Sequence, residues 1–280
     1  MGISAQKRLS KIVIYAVNFV LAIVYIAPLI WMVISAFKPE SRIFSDMSSI
    51  NAFVLTERTL DNFRTVFQRS SMLQSMLNSI IYITILVIFS MTVNSICGYA
   101  LAKLPFRGKG LLLSVIISLL VLPLESVIIP LYLVVGSFGW VNTYLALIVP
   151  FIAKCFDIYL FRQFFLDIPD SLIEAASIDG ASPFRIFASI VIPLSGPVFA
   201  TVFILDYVAH WSDFMWPLVA ITSSSMRTIQ LGLQAFFTDP PVYYGPVLAA
   251  LSLSAIPMII LFLFFQKYYV QGIATTGIKE

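Results

Sequence analysis

Charged and reactive side chains are scarce in this sequence. Of 280 residues, 11% are Asp, Glu, Lys or Arg, where ordinary soluble domains carry roughly 25%. One histidine, His210, and two cysteines, Cys97 and Cys155, do not supply the cluster of nucleophile, base or metal ligands that a membrane-embedded enzyme needs. Both cysteines fall in apolar stretches without metal-ligand spacing and read as buried reduced thiols. The sequence contains no G-x-x-x-x-G-K-[ST] phosphate-binding loop. Internal repeats and low-complexity tracts are also lacking. The net charge of +3 comes from residues scattered between apolar segments, so it carries topology information and is no nucleic-acid footprint.

Hydrophobic residues make up 60% of the chain, more than a soluble globule could cover. A spanning helix needs about 20 apolar residues. Runs of that length occur at about 12–37, 72–102, 110–135, 142–166, 185–210 and 243–267. The fold class expected is therefore an all-α membrane protein of six transmembrane helices, with residues 1–280 forming one transmembrane domain and no room for a separate catalytic domain. The first run exceeds the roughly 7–15 residues of a signal-peptide core and reads as an uncleaved span.

Basic residues near span ends set orientation. With the N-terminus cytoplasmic, the inner segments hold Lys7, Arg8, Lys11, Lys103, Arg107, Lys109, Arg162, Arg185, Lys267 and Lys279. The outer segments hold Lys38, Arg42, Arg58, Arg64, Arg69 and Arg227, all but the last in one longer loop, where charge counts less. Both termini are expected in the cytoplasm.

The inner loop from Asp167 to Phe184 is dense in helix punctuation. Ser171 and Glu174 have the spacing of a capping box just after Pro169, which predicts a helix start. Gly180 can end that helix in the left-handed region, and Ser182-Pro183 can open the next. Ala175, Ala176 and Ala181 permit close backbone approach, while Leu172, Ile173, Ile178, Phe184 and Phe187 offer apolar knobs. This pattern suits either docking into a groove on another protein or an amphipathic hairpin on the lipid surface.

Glu174-Ala175-Ala176, then Gly180, then nine residues, then Ile190-Val191-Ile192-Pro193 resembles the EAA motif of bacterial binding-protein-dependent ABC importers, E-A-A-x3-G-x9-I-x-L-P. The one departure is Ile192 in place of leucine. Ala27-Pro28-Leu29 with Ser35 to Pro39, Gly139 to Tyr144, Trp211 to Leu218 and the tail Phe265 to Lys279 are similar to sugar-importer permeases of the maltose-transporter, MalG-like branch. The tail departs at Ile273 to Ile278.

The resemblance implies a type I permease subunit in a bacterial cytoplasmic membrane that performs no chemistry itself. Ser171, Glu174, Ala175, Ala176, Asp179, Gly180, Ala181 and Pro193 would belong to the ATPase-coupling element. Its partners would be a second homologous permease, two cytoplasmic ATPase copies carrying ATP and Mg2+, and an extracytoplasmic binding protein. The solute implied is a sugar, foremost an oligosaccharide; a glycerol-phosphate or polyol is the alternative.

Ionisable groups within spans are costly and hence candidates for function. Glu125, between Pro123 and Pro130, is a candidate for the substrate path, or else a packing or interface carboxylate. Asp206, Trp211 and Asp213 near the outer end of the fifth run are path candidates or part of an interfacial belt. Lys154 and Asp157, three apart, read as a mutually neutralising pair. An ion-coupled secondary transporter is the rival class, and would require Glu125 or Asp206 to titrate during transport. The polar outer stretch Thr222 to Tyr243 is a connector or a contact for the binding protein.

Overall fold

The computed structural model describes residues 3–69, 71–238 and 240–276, with side chains within 11–68, 71–238 and 240–266. Asp239, Lys279 and the end of the tail from Gly277 lie outside the described residues, as do the side chains of Lys7, Arg8, Arg69 and Lys267. Among the described residues every regular element is helical. In chain order they are α1 (Ile3–Ala36), α2 (Glu40–Ser45), α3 (Asp61–Arg69), α4 (Met72–Lys103), α5 (Lys109–Leu119), α6 (Leu124–Ser137), α7 (Tyr144–Ile148), α8 (Cys155–Leu166) and α9 (Asp170–Ile178). There follow α10 (Pro183–Ile186), α11 (Ile192–Leu194), α12 (Gly196–Ser212), α13 (Met215–Ala220), α14 (Ile229–Thr238) and α15 (Tyr244–Thr276).

Three helical stretches are long and apolar enough to cross a membrane unbroken: Lys11–Ala36, Met72–Lys103 and Tyr244–Gln266. They match the first, second and sixth apolar runs. The other three runs are helix pairs bent at short breaks, α5 with α6 by 103°, Tyr144–Phe151 with α8 by 43°, and Pro183–Leu194 with α12 by 80°. Counting each pair as one span gives six. The helices break at these points for local reasons. Pro123 caps α6 with extended backbone (ψ 139°) and disfavours helix in Leu122 before it. Lys154 is extended (φ −120°, ψ 115°) ahead of α8. Ser195 (φ −105°, ψ 16°) sits two residues before Pro197, which has no N–H to continue the ladder and whose ring opposes the carbonyl of Pro193.

The chain divides into two compact units. The first comprises the chain up to Met72 with Gly232–Ile256. Its polar centre is Lys38, wholly buried, whose ammonium donates to Asp46 Oδ2 (3.0 Å) and to the carbonyls of Asn51 (2.5 Å) and Ala52 (3.5 Å). Asn62 donates to the carbonyls of Ala36 (2.9 Å) and Lys38 (2.8 Å), folding α3 back on the end of α1. Glu40 accepts the N–H groups of Tyr244 and Gly245, each at 2.8 Å, so a carboxylate sits where the N-terminus of α15 presents free donors. Along α1 most side chains are exposed, Tyr15 at 72% and Tyr25 at 75%, as a lipid-facing helix requires.

The second unit comprises Leu73–Leu231 and the chain from Pro257. Its apolar core joins α4, α8, α10 and α12 through Tyr99, Phe161, Phe165, Ile186, Phe187 and Val202. Gly98 permits the closest approach, since a Cβ there would lie 2.7 Å from Phe161 Cβ and 3.0 Å from the Arg162 nitrogen. Cys97 and Cys155 are half-buried free thiols packed on Leu101, Ile116 and Ile158.

Candidate functional site: the loop between α8 and α12

The loop helix α9 starts two residues earlier than the capping-box spacing implies. Pro169 holds the N-cap position (φ −58°, ψ 130°), and no side chain caps the helix. Ser171 therefore lies inside the first turn, and its pairing with Glu174 as a capping box is corrected. Asp170 takes the opening position instead, where a carboxylate meets the free N–H groups of the helix start.

The far end is as expected. Gly180 has φ +81°, the Ala181 N–H donates to the Ala176 carbonyl (3.0 Å), and the Gly180 N–H donates to the Ser177 carbonyl (3.0 Å). That is the full Schellman pattern, which only a residue tolerant of left-handed backbone completes cheaply. Ser182 then caps α10 through its Oγ, which accepts the Arg185 N–H at 3.3 Å, and Pro183 opens the turn. One π-helical turn, Phe187–Val191, follows before Pro193 in the short α11.

The helix has two faces. Ile173, Ala176 and Ala181 pack against the core that holds Phe165, Ile168, Ile186 and Phe187. Outward lie Leu172 (44% exposed), Ile178 (86%) and Phe184 (69%), with Ser171, Glu174, Ala175, Asp179 and Gly180 also exposed. Large apolar side chains exposed around small alanines suit a partner surface or a lipid surface.

Lys103, read from sequence only as an inner-surface charge, holds this helix in place. Its ammonium donates to the Ile168 carbonyl (2.6 Å) and to Asp170 Oδ1 (2.6 Å), and its side chain is 4% exposed. The signal available in sequence was a basic residue ending one span and an acidic residue opening the loop helix, too common a pair to single out.

The four substrate-path candidates engage different surroundings. Glu125 is exposed in the first turn of α6, beside the break after α5. Trp211 is 5% exposed, and its carbonyl accepts from Gln230 (2.9 Å). Asp213 accepts the Trp216 N–H at 3.4 Å, while the buried Trp216 indole donates to the Ala146 carbonyl (2.9 Å). Trp211 and Trp216 are thus core members of this unit. Asp206 is 1% exposed and pairs with Lys154 at 2.5 Å. The expected partnership of Lys154 with Asp157 is therefore secondary, at 3.9 Å, because Lys154 stands in the break before α8 and reaches α12.

The segment Gly139 to Tyr144 has a structural explanation. Asn142 has φ +64°, donates its N–H to the Ala220 carbonyl (2.8 Å), and accepts the N–H groups of Thr222 (3.3 Å) and Ser223 (2.9 Å) on its Oδ1. It ties the turn before α7 to the end of α13.

Apolar helices with three broken spans and an exposed loop helix on a packed base define a membrane transport subunit, and the similarities agree. Residues 94–275 match the family described as "Binding-protein-dependent transport system inner membrane component". The chain belongs to that family. The arabinooligosaccharides transport system permease protein AraQ of Halalkalibacterium halodurans is 32% identical over 260 residues, covering 92% of this chain and 93% of its own. The trehalose/maltose transport system permease protein MalG of Thermococcus litoralis is 29% identical over 279 residues, covering 98% and 99%. Among solved structures, a chain of a bacterial ABC transporter involved in the import of the acidic polysaccharide alginate superposes with a TM-score of 0.82 at 23% identity, covering 94% of this chain and 98% of that one. That likeness establishes the fold.

Proposed function

We propose that this chain is one of two permease subunits of a sugar importer driven by ATP, with an oligosaccharide as its solute and both termini in the cytoplasm. The single observation that carries the coupling role is the helix Asp170–Ile178, which packs Ile173 and Ala176 on the core and offers Leu172, Ala175 and Ile178 outward. An ATPase subunit would receive that face in a groove, and closure of two ATPases with bound ATP and Mg2+ would draw the loops of the two permeases together. This chain supplies the path and the lever, and hydrolysis belongs to the separate ATPase chains. Permease relatives named for arabinooligosaccharides and for trehalose and maltose support the sugar assignment.

Glu125 is the candidate in this chain for contact with the solute, since it is the exposed carboxylate at the break of the third span. Asp206 is committed to Lys154. Family membership argues against an ion-coupled carrier.

The test is purification of the assembled transporter from mild detergent, identification of its co-purifying chains, and reconstitution with its binding protein. A panel of arabino- and malto-oligosaccharides, glycerol phosphate and polyols is then screened for stimulation of ATP hydrolysis and for uptake. Stimulation by an oligosaccharide supports the reading; stimulation by glycerol phosphate alone replaces the substrate class. Uptake that follows the membrane potential and survives ATP depletion contradicts the reading outright.

A further inference from the structure

Five polar side chains from three helices and a span break meet in the second unit, away from the loop. Ser90 and Asn94 stand one turn apart on α4, Lys154 occupies the break before α8, Asp157 is in the first turn of α8, and Asp206 lies on α12. Asp206 Oδ1 takes the Lys154 ammonium at 2.5 Å, and its Oδ2 accepts the Ser90 hydroxyl at 3.2 Å. Asn94 Nδ2 donates to Ser90 Oγ (2.8 Å), the Ile152 carbonyl (3.2 Å) and Asp157 Oδ2 (3.5 Å), and Asn94 Oδ1 accepts the Lys154 N–H (3.1 Å). Ser90, Asn94, Asp157 and Asp206 are each at most 1% exposed.

A cluster of this kind is a poor source of stability. Two carboxylates share one ammonium in a span, and apolar replacement of buried ion pairs is often neutral or stabilising. What it supplies is fixed geometry. Asn94 satisfies the carbonyl and N–H that the break at Ile152 to Lys154 frees from the helix ladder, so the break is a held joint. Lys154 then carries the joint across to α12.

Both helices leave the same loop, α8 running into it and α12 running out through α10 and α11. They are already joined beside the loop by Phe161, Phe165, Ile186, Phe187 and Val202, with α4 pressed on α8 at Gly98. Helix α8 rises about 18 Å over its twelve residues. Cluster and apolar core therefore grip α8 near opposite ends.

On the coupling reading above, we infer that Lys154, Asp206 and Asn94 are positioning residues that clasp α8 to α12, so that a push on the loop helix moves the two helices and α4 as one body. Without the clasp, the contacts that join α8 to α12 among the described residues are the apolar ones towards the loop, and the same push splays the helices.

The test uses the assembled transporter in proteoliposomes, with Cys97 and Cys155 replaced by serine and nitroxides at Phe156 on α8 and Val208 on α12. The probe is MgATP with vanadate. The native distance distribution is expected to stay the same on trapping, and the charge-free variant Lys154→Met, Asp157→Asn, Asp206→Leu is expected to shift or broaden it. The variant should also lower transport per ATP at least about fivefold, the low end of coupling effects, while Lys154→Arg keeps the native ratio. Where the triple variant does not assemble, Asp206→Asn, which keeps volume and the Ser90 contact, gives the same readout. A native distance that moves on trapping, or a charge-free variant that behaves as native, overturns the clasp. A label at Ile178 reports the loop itself: no change there on trapping removes the coupling reading, whereas a change there with a native-like charge-free variant removes the clasp alone.

Discussion

The Lys103 ammonium sits 2.6 Å from Asp170 Oδ1, joining the last residue of α4 to the first of the loop helix α9. The lysine is 4% exposed and the carboxylate 76%, so the exposed partner alone contributes little to stability. The buried half does more, because the same ammonium also satisfies the Ile168 carbonyl at 2.6 Å. The contact fixes where the loop helix begins and which face it turns inward.

Replacing Lys103 by Met leaves the Ile168 carbonyl without its donor, at a local cost of about 1–3 kcal/mol. Hydrogen exchange over residues 170–178 should speed up while the exchange of α4 stays unchanged. Equal protection of the loop helix in both proteins would remove Lys103 as its anchor.

Gly180 is a conformational requirement, since a Cβ there meets no atom within 4 Å yet φ is +81°. Alanine should cost about 1–2 kcal/mol, asparagine less, and valine more, all through backbone strain. In the assembled transporter the order glycine, asparagine, alanine, valine is expected for solute-stimulated ATP hydrolysis, with membrane insertion retained throughout. A valine variant with native stimulation would show that the Schellman turn is dispensable for coupling.

At Gly98 the constraint is space. A methyl group 2.7 Å from Phe161 Cβ forces α4 and α8 apart, because the neighbouring Arg162 nitrogen at 3.0 Å is backbone and cannot swing aside. Gly98→Ala should lower stability by about 1–3 kcal/mol, read as a lower midpoint in detergent unfolding. An unchanged midpoint would mean the contact relaxes without cost.

How much of this was legible in the sequence varies with the range of the interaction. The six apolar runs and the Gly180 and Ser182 signals are local: the runs reappear as helices, three unbroken and three as bent pairs, and the signals reappear as caps. The three breaks depend on what surrounds a proline or an unpaired peptide group, so hydropathy alone reads through them. Lys154 shows the limit most clearly: its neighbour Asp157 is three residues away, and its closer partner Asp206 is 52 residues distant on another helix. Trp211 reads from its position as a path candidate or part of an interfacial belt, and only its packing shows it to be buried. Ser171 had the right spacing for a cap, but Pro169 starts the helix first.

Glu40 closes the first unit by accepting two N–H groups at the start of α15. Glu40→Ala should cost about 0.5–2 kcal/mol, as for loss of an N-terminal cap, and Glu40→Asp should recover part of it. Limited proteolysis around residues 240–245 should accelerate in the alanine variant; a native cleavage rate would rule out the cap.

The proposed coupling requires the outer face of Asp170–Ile178 to dock into an ATPase chain. The most direct measurement is site-specific photo-crosslinking from position 178 in the intact transporter in native membranes, Ile178 being 86% exposed in the isolated subunit. A crosslinked product of this chain with the ATPase subunit is expected, with a yield that changes on addition of MgATP. Crosslinking to lipid alone would contradict it and would return the loop to the role of a surface-lying hairpin.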